Sequence, residues 1–319
     1  MAFAATNGMV GISIRDTALR MAEITKTAGE ARISRLSQGR VRTALNSTAL
    51  QDHTLIRRYA EDINRLYETA DFQISSGVFI LDSSLVTIKK IPVDVNLQGE
   101  RLRDHMRWEA EQCMINPLEQ YIIDYSLLTA AEGKDFAEVV TVVARRAVID
   151  YCKEIFKNTD LQLRAIDVDI FAAQRVFAGN YDAAEDEYTA LLDVRSSSCQ
   201  FSILKGAQFY LSHDLDFLSE APVPKIDDDH AARLISKELR RIIIDYKLGK
   251  SVEDLRAIYL YGDGVTAPIL ETLQNTHNVR IDRANPFKKI KIANQGGEPP
   301  VPSQPESFVI PVGAALKGM

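Results

Sequence analysis

The densest set of potential metal ligands in the sequence is Asp227-Asp228-Asp229, followed at once by His230. These residues stand just before an amphipathic helical pattern, where side-chain oxygens cap free backbone N–H groups and negative charge meets the positive end of the helix dipole. Capping is therefore the expected role, and no metal site is expected. His53, His105, His213 and His277 stand apart from any serine or cysteine in a nucleophile motif, so no acyl-transfer triad is expected. Glu109 and Glu111 lie two apart on a helical pattern, where side chains diverge, and read as a solvated face rather than an acid–base pair. The three cysteines, Cys113, Cys152 and Cys199, are single and unpaired in spacing, as expected of reduced, buried thiols. What remains are three short blocks where a strand runs into a turn: GISIRDT at 11–17, LDVRSSS at 192–198 and YGDGV at 261–265.

The elements that position these blocks follow from periodicity. Runs at 9–14, 19–24 and 33–36 read as consecutive antiparallel strands, 54–70 as an amphipathic helix and 77–81 as a buried strand. The texture changes at 86, with a strand over 86–91 ended by Pro92, a helix over 99–114, strands over 121–128 and 138–144, and a helix over 147–158. This block reads as a small inserted α+β subdomain. A strand at 164–168 and a helix at 170–178 return to the first lobe before an acidic, alanine-rich linker. Strands at 188–194, 200–205 and 208–215, a helix at 230–248, a strand at 257–261 and a helix at 268–277 repeat the opening pattern, which suggests an internal duplication. The Pro- and Gly-rich stretch 296–305 reads as a loop before a terminal apolar segment, 308–316. The expected fold class is α/β with two lobes: first-lobe core over 1–84 and 163–186, the inserted subdomain over 85–162, and a second lobe over 187–319.

Bulk properties narrow the function classes. A chain of 319 residues exceeds one ordinary domain, and 46% hydrophobic with 26% charged residues is ordinary globular usage. A net charge of -6, with no basic stripe interleaved with aromatics, argues against nucleic acid as a partner. The opening MAFAATNGMVG lacks the basic start and apolar run of a secretion signal, and no window has the roughly 18 to 20 apolar residues of a membrane span. The expected location is cytoplasmic, held at a membrane by a partner if it works there. Lys288, Lys289 and Lys291 form a short basic run that reads as a solvated strand end.

The three strand–turn blocks stand in the order used by the phosphate and nucleoside loops of the actin-like ATPase superfamily. More distinctive are RWEAEQ at 107–112, NPLE at 116–119 and IDY at 123–125, together with VARR at 143–146, AIDVD at 165–169, NPF at 285–287 and GAALKG at 313–318. Over nearly its whole length the chain resembles the PilM family of type IV pilus assembly proteins. That resemblance implies the two-lobed actin-like fold of FtsA, with the inserted subdomain in the place read above. It also implies binding of the cytoplasmic N-terminal tail of a PilN-like membrane protein, contact with other pilus inner-membrane components, and possible homo-oligomers.

The resemblance further implies a nucleotide site at Ser13, Arg15, Asp16, Thr17, Asp193, Arg195, Ser196, Ser197, Gly262, Asp263 and Gly264. In this superfamily the hairpins use glycines so that backbone N–H groups reach the phosphates. Here Arg15 and Arg195 take the diagnostic glycine positions, and Ser13 replaces the carboxylate that would hold hydrated magnesium. Between Leu218 and the helix near His230 only about a dozen residues remain, where relatives carry further helices, so a shortened subdomain near 219–255 is expected. The two arginines are expected to face each other across the cleft, with ion pairs bridging the lobes in place of ATP, or else to point into solvent from the hairpin tips. The negative charge of Asp263 would sit badly beside phosphates unless paired with Arg15 or Arg195. No catalytic residue and no cofactor is expected, with ATP and magnesium doubtful. The function implied is a scaffold or adaptor, the alternative being an ATP-binding conformational switch and a distant third a sugar or acetate kinase. Met106, Trp108 and Tyr121 are the expected peptide-groove residues, with core packing the commoner role for a lone tryptophan.

Overall fold

Continuous apolar runs make the central strands of two sheets, and half-polar runs make their edges. The computed structural model describes residues 8–27, 30–112, 114–115, 117–128, 135–220, 227–292, 302–317 and 319. Strands β1 (Gly8–Arg15), β2 (Ala18–Thr27) and β3 (Glu30–Arg40) form an antiparallel meander. Helix α1 (Leu55–Thr69) then crosses to β4 (Ser76–Leu81), which lies parallel to β1. Every residue of β1 and β4 is buried, as their near-unbroken apolar sequences require of strands covered on both faces.

The insertion follows, with β5 (Val86–Asp94), α2 (Gly99–Glu111), β6 (Tyr121–Leu127), β7 (Phe136–Arg145) and α3 (Arg146–Lys157). Its three strands form a separate sheet in the order β5-β7-β6. Pro92 does not end β5 as expected, and the strand continues to Asp94. β5 is an edge strand, so the missing N–H of an exposed proline costs no ladder bond. Helix α2 covers one face of this sheet, burying Leu102 and Met106 against Ile91, Val93 and Val139. Helix α3 falls inside the span expected for the insertion but belongs structurally to the first lobe. Val148, Tyr151, Ile155 and Phe156 pack with Ile56, Tyr59 and Ile63 of α1. The chain returns through β8 (Gln162–Val168), parallel to β4, and α4 (Asp169–Asn180).

The second sheet repeats the first. β9 (Tyr188–Val194), β10 (Ser198–Lys205) and β11 (Gln208–Asp216) form the meander, and the short helix α5 (Phe217–Glu220) precedes α6 (Asp228–Asp245). Then β12 (Ala257–Tyr261) pairs parallel to β9, α7 (Ala267–Thr276) crosses over, and β13 (Ile281–Arg283) extends the sheet. The orders β3-β2-β1-β4-β8 and β11-β10-β9-β12-β13 place equivalent strands in equivalent positions, the signature of duplication read from the sequence.

The chain end does not stay with the second lobe. β14 (Lys291–Ile292) joins the first sheet beside β3, and α8 (Val309–Leu316) packs on β1, β2 and α4. Helices α4 and α8 thereby fill the layer between the sheets, where Ala172, Val176, Val312 and Ala315 meet Ile24 and Val78 on one side and Leu191 and Tyr259 on the other. Gly11, expected to open a phosphate loop, is instead a mid-strand residue of β1. A Cβ there would collide with Pro311 and Ala315 backbone atoms, so it is glycine to admit α8.

Candidate functional site

The carboxyl ends of β1, β4, β8 and β9 converge on the cleft between the two sheets and bring together two guanidiniums and three carboxylates. Arg15 ends β1, Asp82 follows β4, Asp169 follows β8, and Asp193 and Arg195 flank the end of β9. Arg15 donates to Asp169 of its own lobe and pairs with Asp193 across the cleft, with Asp82 at 3.5 Å. Arg195 reaches back the other way, at 2.6 Å from Asp82 and 3.4 Å from Asp169, while its Nε donates to Asp193 at 3.0 Å. Each arginine therefore binds carboxylates of both lobes. The arginine side chains are 10% and 18% exposed, and Asp169 is fully buried. Of the two expectations for these arginines, the facing arrangement is the one observed.

Asp169 is further held by Ser83, whose backbone N–H donates to Oδ2 at 3.1 Å, and by its own lobe's Ile170 N–H at 2.7 Å. Burial pushes both Asp82 and Asp169 up, but at Asp82 the guanidiniums of Arg15 and Arg195, with Ser84, outweigh burial and hold it below the usual carboxylate range. Burial dominates at Asp169, and the Asp82 carboxylate adds to it against the pull of the arginines. Unlike environments thus separate two neighbouring carboxyls. Asp169 enters the sequence reading only within AIDVD at 165–169 and Asp82 not at all, although both directly follow parallel strands, whose carboxyl ends line the crevice in open α/β sheets.

The other expected residues divide. Gly262 adopts a left-handed backbone, φ 97°, and its bare Cα lies against Asp193 and Val194, where a Cβ would clash. Gly264 donates its N–H to the Val194 carbonyl at 2.9 Å, tying the third block to the second. Asp263 pairs with Arg20 of β2, at 2.6 Å, while Arg15 and Arg195 are engaged within the cluster. Asp16 sits at the β1–β2 turn with φ 49°, and the neighbouring Thr17 accepts from Val41 N–H through its carbonyl. Ser13 is buried within β1, and Ser196 and Ser197 are exposed at the β9–β10 turn. The space left among Arg15, Arg20, Arg195, Asp193, Tyr261 and Asp263 is about 20 Å³, enough for a water molecule or so. Residues 221–226, on the side where relatives were expected to carry more helices, lie outside the described residues.

A far larger cavity, about 1220 Å³, opens elsewhere, between the small sheet and the first lobe. Its walls are the face of the small sheet away from α2 (Ile122, Val140, Val142), strand β8, and helices α3 and α4, with Phe171 and Phe209 at one boundary. Two of these strands, β6 and β8, are edge strands of their sheets. Asp167, which also borders the groove, is held by Arg175 at 2.6 Å and Lys317 at 3.0 Å. None of the three expected groove residues lines it. Met106 is fully buried on the inner face of α2, where it accepts a hydrogen bond from Thr141. Trp108, for which core packing was the commoner expectation, is 54% exposed and stacks on His105. Tyr121 is half-buried at the start of β6. The helical period of α2 was legible, but the sheet face opposite α2 faces the groove, and a pattern read along one helix does not reveal that.

Other titratable groups are structural. Asp227 caps α6 by accepting from His230 N–H at 2.7 Å, and among the described residues no group of three His, Cys, Asp or Glu side chains is placed to hold a metal ion. Cys152 and Cys199 are buried, and burial pushes the Cys152 thiol up to about 12, so it stays protonated. Cys113 lies outside the described residues. His277 does meet a serine: its Nε2 lies 2.6 Å from Ser236 Oγ and its Nδ1 3.6 Å from Glu253. Both His277 and Ser236 are buried and neither cavity reaches them, so the row ties α7 to α6 rather than exposing a nucleophile. Burial and Arg240 lower the His277 pKa below 6.5, against the pull of Glu253. Because the unfolded chain takes up this proton first, stability is unaffected above about pH 6.5 and falls as pH drops below it. The urea midpoint of the wild type should decline more steeply between neutral pH and pH ~5 than that of His277→Gln. Parallel pH profiles for the two proteins would contradict that origin.

Among the described residues no helix is long and apolar enough to cross a membrane. The chain matches a solved structure of a PilM-PilN type IV pilus biogenesis complex at 18% identity and a TM-score of 0.76, with 99% of each chain covered. An inorganic polyphosphate/ATP-glucomannokinase from Arthrobacter sp. strain KM aligns at 10% identity over 98% of both chains, with a TM-score of 0.50. A Bacteroides thetaiotaomicron protein with actin-like ATPase fold and unknown function aligns at 11% identity and a TM-score of 0.49, over 88% of this chain and 91% of its own. The fold is a two-lobed α/β fold shared with the matched chain of the PilM-PilN complex. Residues 11–220 match the family described as type IV pilus assembly protein PilM, and the chain belongs to that family.

Proposed function

We propose that this protein is a non-hydrolysing adaptor of a type IV pilus or related inner-membrane assembly machine. It acts in the cytoplasm and binds the cytoplasmic tail of a PilN-like membrane protein. The observation that carries this reading is the occupation of the interlobe cleft by the protein's own charges. A nucleotide would need to displace Arg15 and Arg195 from three carboxylates and to fit where about 20 Å³ remains. Its phosphates would meet Asp82, Asp169, Asp193 and Asp263, and among the described residues no glycine hairpin offers them a cradle of backbone N–H groups. These residues do not fit ATP and magnesium.

In this reading the ion cluster fixes the two lobes at one angle, so the protein presents a constant surface to its partners. The 1220 Å³ groove, apolar in its walls and bordered by edge strands, is the surface best suited to a short extended peptide. Support for a PilN-like tail as that peptide comes from the near full-length structural likeness to the PilM-PilN complex. Calorimetric titration of the purified protein with magnesium-ATP tests the adaptor reading. No heat of binding is expected at millimolar nucleotide. Micromolar binding would make the protein a nucleotide-dependent switch of the same machine and overturn the reading.

A further inference from the structure

The large groove does not belong to the first lobe and the small sheet alone. Phe209 of β11, in the second lobe, lines it beside Phe171 of α4, and the two rings meet edge to face with centroids 5.6 Å apart. Three parts of the molecule touch at this pair. Val140 from the small sheet, Val168 and Ile170 from the first lobe and Phe209 from the second form one buried cluster, with Val86 and Ile88 of β5 packed against it. Polar contacts hold the same junction together. Gln174 of α4 donates to the Ala207 carbonyl in the β10–β11 turn at 2.8 Å, and Lys90 of β5, paired with Glu138, lies 3.8 Å over the Tyr210 ring.

We infer that Phe209 makes the second lobe part of the peptide site, so that an extended peptide in the groove ties the two lobes together at a second point. This rests on the reading of the groove as the site of a PilN-like tail. The junction has only four buried side chains, and it borders a cavity of about 1220 Å³ rather than another packed layer. Apolar surface of both lobes is therefore offered to one occupant, and an apolar side chain of the peptide seated there covers Phe171 and Phe209 together. The junction is also joined to the ion cluster through the backbone. Asp169, which binds Arg15 and Arg195, stands between Val168 and Ile170, the two residues that pack on Phe209. A displacement of the second lobe that moves Phe209 away from these residues also pulls Arg195 away from Asp169. Two sites that favour the same interlobe arrangement are linked reciprocally: the clasped lobes favour the peptide, and the peptide favours the clasped lobes. A site built by the first lobe and small sheet alone would show no such linkage.

Fluorescence anisotropy of a labelled tail peptide, with hydrogen exchange on the full chain, tests the inference. Phe209→Leu keeps an apolar side chain in the cluster but removes the ring, and should weaken the peptide roughly tenfold. Phe217→Leu alters a buried phenylalanine of the second-lobe core that does not line the groove, and should leave affinity within about twofold. In the wild type, saturating peptide should slow exchange at 207–211 as well as in β6 and β8. Because this arm uses the unaltered chain, it holds whether or not Phe209→Leu keeps its fold, and a merely structural role of Phe209 would leave the second-lobe amides unmoved. Equal affinity of Phe209→Leu and the wild type, or protection confined to the first lobe and small sheet, would overturn the inference and leave the groove as the peptide site. Absence of tail binding, or binding that Ile122→Glu does not weaken, would remove the groove reading and the inference with it.

Discussion

Arg15→Ala should cost about 3–5 kcal/mol of stability, far more than loss of a surface charge, because it strips the partner from buried carboxylates on both sides of the cleft. Asp169 is fully buried and Asp193 is 2% exposed, and neither can recover its hydration without opening the lobes. The pH dependence gives the variant a signature. With the guanidinium gone, burial acts on Asp169 without the opposing pull of Arg15, and its folded-state pKa stands further above its unfolded value of about 4. The folded variant then binds protons more tightly than the unfolded chain, so its deficit relative to the wild type should be greatest at neutral pH and shrink as pH falls toward 4. In the wild type Asp82 runs the opposite way: its folded pKa is depressed, so its contribution is present above about pH 4 and lost below. Urea unfolding of both proteins across this range measures the crossing. A cost under about 1 kcal/mol, independent of pH, would mean that the arginines do not bind the lobes together.

The same substitution separates stabilising from specifying roles. A buried cluster of two arginines and three aspartates is not required for stability as such, since well-packed apolar residues of similar volume often match it. What it adds is direction: Arg15 reaches from the first lobe to Asp193 and Arg195 from the second lobe to Asp82, and apolar substitutes would not fix one interlobe angle in that way.

How much of this was legible beforehand divides along physical lines. Strands and helices buried on one face or both were read from their periods, and the order of the second sheet was foreshadowed by the repeat of the first. The short strands β13 and β14, of three and two residues, carry too little pattern to be seen, and β14 depends on a partner about 260 residues away, Arg32 and Ile33 of β3. The apolar run that became α8 announced burial but not its place between the sheets. In the cleft, Arg15 and Arg195 were found because they break a glycine rule, whereas Asp82 and Asp169 break none. Their role exists only where four strand ends meet. Helix α3 follows the insertion without a break, and only the packing of Tyr151 and Phe156 against the first lobe reveals its allegiance. Removing 86–158 would therefore take a core helix with it, and a deletion meant to spare the lobes should stop before Arg146.

Ile122→Glu should weaken binding of a PilN-like N-terminal tail at least thirtyfold, about 2 kcal/mol, without loss of fold. Ile122 is half-buried on β6, opposite Ala144, on the sheet face that walls the groove. A carboxylate there would face Val142 and the apolar side of β8, where a docked peptide excludes the water that solvates it in the free protein. Trp108→Ala should leave affinity unchanged within about twofold, since Trp108 stands on the far side of the small sheet and does not line the groove. The pair of variants separates groove from helix as the docking surface, with fluorescence anisotropy of a labelled tail peptide as the readout. If Trp108→Ala abolishes binding while Ile122→Glu does not, the peptide lies over α2 and the edge strands β6 and β8 are not its template. If both bind as the wild type does, the tail docks outside the subdomain altogether. The expected outcome ties binding to an apolar wall that contains none of the cluster residues. The lobes can then stay locked while the small sheet accepts a partner.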